Sequence, residues 1–103
     1  ELEMSVNVDA TGLGNVEILV RQATVDPGSM ATTADDTQSA AIADAEIGDY
    51  IIPIAPYDLQ SIIVTAGVSS ANTVDVNFYN ASAGTVNLAS GTWTFLVLKL
   101  GSV

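Results

Sequence analysis

A chain of 103 residues, 49% of them hydrophobic and only 14% charged, holds one domain with a single core and a surface short of charge. The charges are lopsided, with 12 Asp or Glu against Arg21 and Lys99 alone, so a formal net charge of −10 rules out a basic track for nucleic acid and disfavours anionic membranes. With no Cys and no His, disulfide frameworks, Cys/His zinc sites and every Ser-His-Asp or Cys-His catalytic arrangement are excluded.

In chain order the pattern is that of strands. Leu2, Met4, Val6 and Val8 alternate with polar residues and share one face of a first strand. Residues 9–15 carry two glycines and read as a turn. Val16 to Val25 is a β-branched strand that Asp26-Pro27-Gly28 ends. Residues 29–41 are Thr-, Ala- and Asp-rich without useful periodicity and are expected to form an exposed loop. Ala40 to Ile47 has helical propensity but is short and stops at Gly48; a strand leading into a turn at 45–49 fits equally. Tyr50 to Ala55 is a short strand, and Pro53 sets it at an edge or a bulge. Gln60 to Val68 is strongly β-branched, with Gly67 as a candidate bulge.

The second half alternates most cleanly. Val74, Val76 and Phe78 oppose Asp75, Asn77 and Tyr79 along one strand, and residues 80–84 form a turn. After a short strand at Thr85 to Leu88, the chain closes on Trp93 to Leu100, apolar on both faces. Trp93, Phe95 and Val97 point one way, and Leu96, Leu98 and Leu100 the other, as in a strand buried on both sides. Residues 68–80 and 89–99 together read as a hairpin-like pair of strands joined by a small-residue connection. About seven or eight short strands with Gly, Asn and Pro turns predict one all-β domain over residues 1–103, an antiparallel β-sandwich of jelly-roll type.

The surplus of apolar strand surface in so small a domain predicts cover from further copies. Trp93, Phe95, Val97, Leu96 and Leu98 are the candidates for packing between subunits. The alternating strand Leu2, Met4, Val6 and Val8 is the candidate for pairing with a neighbour's sheet edge.

Little else in the chain points to chemistry. Asp35-Asp36 and the group Asp44, Glu46 and Asp49 are the only acid clusters, and no motif matches them to a cleft, so no enzyme is expected. A calcium site at 44–49 lacks the spacing of an EF-hand loop, and a solvated acidic turn is the preferred reading; no cofactor is implied. Asn80-Ala81-Ser82 forms a glycosylation triplet that arises often by chance. Trp93, Tyr50, Tyr57 and Tyr79 could stack sugars, but Trp93 belongs to the most apolar strand and Tyr57 reads as a packing lid. No run reaches the ~18 apolar residues of a membrane helix.

Three phrases of this sequence resemble small structural proteins of tailed bacteriophages. Gly48-Asp49-Tyr50-Ile51-Ile52-Pro53-Ile54-Ala55-Pro56 is similar to a "G-D-x-V-x-V-x-P" strand. Val68-Ser69-Ser70-Ala71-Asn72-Thr73-Val74 is similar to the phrase "V-S-A-A-N-T-V", and Ser90-Gly91-Thr92-Trp93 stands as "S-G-T-W". The likeness runs from about residue 42 to residue 99, while residues 29–44 look longer and more acidic than the usual entry to the first phrase. These phrases are strands and turns, not active-site motifs. The resemblance implies a β-sandwich that trimerises on the exterior of a virion: a capsid decoration (cement) protein whose partners are the major capsid protein and its own copies. The competing expectation within the same resemblance is a tail-fibre or head-fibre module that binds surface glycan.

Overall fold

A computed structural model describes residues 4–10 and 14–100, with side chains described from Val16 onward. Among the described residues there are nine strands and no helix: β1 (Met4–Ala10), β2 (Gly14–Val25), β3 (Gly28–Met30), β4 (Asp35–Ala41), β5 (Tyr50–Ile54), β6 (Ile62–Ser70), β7 (Thr73–Asn80), β8 (Val86–Leu88) and β9 (Gly91–Leu100). A first sheet has the order β1-β2-β9-β5, a second the order β4-β7-β6, and β3 and β8 form a two-stranded ribbon. Every pairing is antiparallel. The expected all-β sandwich is what the chain forms.

The core lies between the sheets. Leu19, Val25, Ile51, Trp93, Phe95 and Val97 come from the first sheet, and Ala40, Ile62, Val74, Val76 and Phe78 from the second. Met30, Val86 and Leu88 of the ribbon close one end, and Ile42 and Ala45 the other. Trp93 is the centre: Phe78 meets its ring edge-on at 5.6 Å and Tyr57 at 6.0 Å. Such aromatic pairs add ~0.5–1.5 kcal/mol each beyond the burial of their area. The Tyr57 hydroxyl donates to the Ala89 carbonyl at 2.5 Å and accepts from Trp93 Nε1 at 3.3 Å, so it is a packing lid fastened at its polar tip.

Three expectations are corrected. Residues 29–41 are not a loop. They contain the end of β3 and all of β4, which pairs with β7 from Asp35 opposite Tyr79 to Ala41 opposite Thr73. Alternation hid this strand because its inward positions are Asp36, Gln38 and Ala40, and only Ala40 is buried. Gln38 Nε2 donates to Asp36 Oδ2 at 2.7 Å, which satisfies part of that inward pair. Secondly, β7 and β9 are not a hairpin. They stand in opposite sheets and meet through Phe78 and Trp93, while β7 turns directly from β6. Thirdly, β9 is not buried on both faces: Trp93, Phe95 and Val97 are fully enclosed, whereas Leu96 and Leu98 are half-buried and Leu100 is exposed. Of the two readings of residues 40–47, strand and turn is the one observed. β4 ends at Ala41, and Ala45 N donates back to the Ile42 carbonyl.

The phrases that carry the resemblance have mechanical reasons. Asn72, in the β6–β7 turn, takes a positive φ of 64°, a conformation Asn tolerates better than most residues. Its amide N donates to the Ala45 carbonyl, its carbonyl accepts from Ile42 N, and its side-chain oxygen accepts from Asp44 N. One residue thus ties the hairpin to the 42–45 turn. Gly91, in the closing phrase, starts β9 against Pro56 and Tyr57; a Cβ there would lie 3.0 Å from Pro56 Cγ and 3.3 Å from Tyr57 Cε2. Both residues serve the architecture.

Candidate assembly interface on the outer face of the first sheet

The outer face of the first sheet is built from the strand registers. Val20 stands opposite Leu96, and Leu96 opposite Ile52; Ile18 stands opposite Leu98, and Leu98 opposite Tyr50. Val16 stands opposite Leu100 in the next row. Continuing to β1, the positions opposite Val20, Ile18 and Val16 are Met4, Val6 and Val8. The rows therefore read apolar across four strands. They end where Gln22 opposes Thr94 and Thr24 opposes Thr92, with Gln22 Nε2 donating to Thr94 Oγ1 at 3.4 Å.

No ionisable group other than the Tyr50 phenol occupies these rows. Leu100 is 77% exposed, Tyr50 66% and Ile54 45%, while Val16, Ile18, Val20, Ile52, Leu96 and Leu98 are half-buried by one another. At ~4.8 Å between strands and ~3.3 Å per residue, the rows cover a footprint of roughly 300 Å². Patches of that size on a soluble domain are commonly functional. A stable interface buries about 800 Å² per partner, so this face alone makes a weak contact and gains from a closed ring of copies.

The polarity of β2 and β9 is inverted relative to an ordinary sandwich. Their charged residues Glu17, Arg21 and Lys99 lie on the inner side, in the rows of Leu19 and Val97, toward the 42–49 segment. There Lys99 Nζ meets Asp49 Oδ2 at 2.6 Å and Glu46 Oε1 at 3.0 Å, and Arg21 meets Asp44 Oδ2 at 3.2 Å. Burial beneath the sheet works against the charged form of Lys99, but the hydrogen bonds and charges of Asp49 and Glu46 outweigh it and raise its pKa above 10.5. Arg21, Lys99, Asp44 and Glu46 line an open cleft of about 670 Å³ together with Leu19, Ala71 and Asn72. The acids that sequence reading set out as a solvated turn or a calcium site are thus engaged by the chain's two cations. Among the described residues no group of three or more Asp, Glu, His or Cys gathers as a metal site.

The predicted site residues divide between the core, the outer face and the part of the chain outside the described residues. Trp93, Phe95 and Val97 are 0% exposed in the chain's own core and so cannot pack between subunits. Their alternates Leu96 and Leu98 lie on the outer face. Met4, Val6 and Val8 hold the β1 register positions given above, and their side chains lie outside the described residues, as does Leu2 altogether. Val16, Ile18 and Val20 of β2 and Tyr50, Ile52 and Ile54 of β5 were missed. Their signal is alternation: Val16, Ile18 and Val20 fall on one side of β2, and Glu17, Leu19 and Arg21 on the other.

Neither a sugar platform nor a glycan attachment point is assembled. Trp93 is enclosed, Tyr50 lies on the outer face of the first sheet, and Tyr79 lies on the outer face of the second. Asn80 of the glycosylation triplet is fully buried. Its side-chain amide donates to the carbonyls of Met30 and Gly84, and its oxygen accepts from Ser82 N and Oγ.

Neither a family model, nor a curated protein, nor a solved structure matches this chain.

Proposed function

We propose that this protein is a virion structural protein, a decoration (cement) protein that sits as a trimer on the outer surface of a tailed-phage head. The observation that carries the reading is the uncharged apolar outer face of the first sheet, on a chain with a net charge of −10. In the trimer, Ile18, Val20, Leu96, Leu98 and Ile52 of each copy pack against neighbouring copies. Leaving such a face in water forgoes ~25 cal/mol for every Å² of apolar surface that association would bury. Closing a ring of copies covers it on every one.

The mechanism is mechanical. The second sheet, polar on its outer face, meets solvent, and its acidity suits the outside of a shell better than contact with packaged DNA. The free edge of β1 is the proposed contact with the major capsid protein, by strand addition. Asp9 in that strand, preceded by Glu1 and Glu3 in the chain, favours a basic partner over another acidic copy. Many equivalent weak contacts then sum over the particle.

Immunogold labelling of tailed virus particles from the source, with antibody against this chain, tests the reading. Label spread over the head is expected. Label confined to the tail tip would replace it by the host-recognition role, and absence of label from every particle would remove the virion assignment.

A further inference from the structure

The edge of β6 borders the first sheet at β5, across a groove shared with Tyr50 and Ile52 of the apolar rows, and its chemistry can be read without any virion role. Among the described residues, β1, β5, β4 and β6 are the outermost strands of the two sheets. An unpaired strand edge is a template for pairing with another chain, and proteins blunt such edges with charge, proline or brevity. β1 contains Asp9, β4 begins with Asp35-Asp36, and β5 has five residues with Pro53 among them. The ribbon strands β3 and β8 have three residues each. β6 has nine residues, and neither a charge nor a proline occurs between Asp58 and Asp75. Its one irregularity is a register shift between Val68 and Ser70, which leaves Ile62 to Val68 as the regular stretch.

The backbone of that stretch has a definite orientation. Ala81 N donates to the Ser61 carbonyl, and Asn80 N donates away from β6, to the Ala34 carbonyl. By alternation, Ile63, Thr65 and Gly67 exchange bonds with β7, while the N–H and C=O groups of Val64 and Ala66 point to the open edge.

We propose that the open edge of β6 pairs with the same edge of a second copy, antiparallel about a two-fold axis at Thr65. Thr65 is the midpoint of Ile62 to Val68, so this register uses the whole regular stretch. It sets Val64 opposite the second copy's Ala66, and these positions exchange the free backbone bonds. It sets Ile63 opposite the second copy's Gly67, a large residue over a small one on each side of the axis. Ile63 is 55% exposed, and a Cβ placed on Gly67 meets nothing within 4 Å, so there is room for the incoming side chain. Thr65 meets its own copy, a favourable cross-strand pair. Beneath the edge, Tyr50, Ile52 and Pro53 of β5 form a groove with Val64 and Ala66 that the pairing covers. The absence of charge decides the partner: between chains of net charge −10, a neutral edge is where two copies approach with least repulsion. A two-fold contact requires a self-complementary patch, which this register supplies.

The chain contains no cysteine, which allows a direct test. In this pairing Thr65 and its copy form a non-hydrogen-bonded pair with Cα atoms ~4.5 Å apart, within disulfide range. Thr65→Cys, treated at micromolar concentration with copper-phenanthroline, should convert nearly completely to a covalent dimer of two chains. Asn77→Cys, on the same sheet face but one strand inward, should stay mostly monomeric and serves as the control. Both are run again with Leu98→Asp, which disables the apolar face, so failure of the trimer cannot be mistaken for failure of this edge. Thr65→Lys should raise the dissociation constant of the β6 contact at least tenfold in sedimentation equilibrium. Cross-linking of Thr65→Cys no greater than that of Asn77→Cys, or a dissociation constant unmoved by Thr65→Lys, would overturn the proposal.

Discussion

The outer faces of the two sheets are made by the same antiparallel geometry and have opposite chemistry. On the second sheet the outward rows are Asp35-Tyr79-Ile63, Thr37-Asn77-Thr65 and Ser39-Asp75-Gly67. Thr37 Oγ1 bonds Asn77 Oδ1 at 2.8 Å and Ser39 Oγ bonds Asp75 Oδ1 at 3.1 Å, so this face is stitched by polar cross-strand pairs in water. On the first sheet the corresponding rows are Val20-Leu96-Ile52 and Ile18-Leu98-Tyr50. Antiparallel sheets ordinarily keep one face dry and one wet. Here only the second sheet obeys that rule; the first is apolar on its outer face and, toward the 42–49 end, ionic on its inner one. The difference teaches that, among the described residues, the enclosed core is built without the first sheet's outer face.

Four substitutions break or sharpen this contrast. Trp93→Ala empties the inward side of β9 and should cost about 3–5 kcal/mol of stability, read as a lower midpoint in urea. Leu98→Asp changes the outward side of the same strand. It should leave the urea midpoint nearly in place and weaken self-association by roughly 100-fold, the worth of about 2–3 kcal/mol at an interface centre. Loss of folding rather than of association would mean that the outer face belongs to the protomer's own core. Lys99→Met removes the cation from the inner side. Because Asp49 and Glu46 raise the folded pKa of Lys99, its stabilisation is fully present below the unfolded value of about 10.5 and is lost as pH rises through the folded value. The native protein's melting temperature should therefore fall above pH 10.5 more steeply than that of Lys99→Met. Asn77→Lys, on the wet face, should shift stability by no more than about 0.5 kcal/mol and leave association unchanged.

How much of this was legible before the structure depended on whether side chains reported their neighbours. β7 and β9 announced themselves, because Val74, Val76 and Phe78 and then Trp93, Phe95 and Val97 alternate or run apolar into one core. β4 did not, since Asp36 and Gln38 take inward positions and satisfy each other there, so no hydrophobic contrast marks the strand. The outer face was half legible. Leu96 and Leu98 were singled out, but together with Trp93, Phe95 and Val97, because one strand cannot tell which of its faces the second sheet covers. Register supplies that answer: it places Val97 opposite Leu19 and Ile51, both buried, and Leu98 opposite Ile18 and Tyr50. The acids at 44–49 were noticed as a cluster, whereas their tie to Lys99 joins residues about fifty positions apart in sequence, which local pattern does not encode.

The inward ion pairs have a consequence for the medium in which copies meet. With Arg21 and Lys99 both turned toward Asp44, Glu46 and Asp49, no basic side chain is left to soften the repulsion between approaching molecules. Added sodium chloride shortens the screening distance from ~30 Å at 0.01 M to ~10 Å at 0.1 M. Contacts between copies should therefore tighten as ionic strength rises, the reverse of what assemblies held by ion pairs across the interface show. Sedimentation at the two salt concentrations reads this directly, and assembly that loosened with salt would mean that the charges attract rather than merely being tolerated.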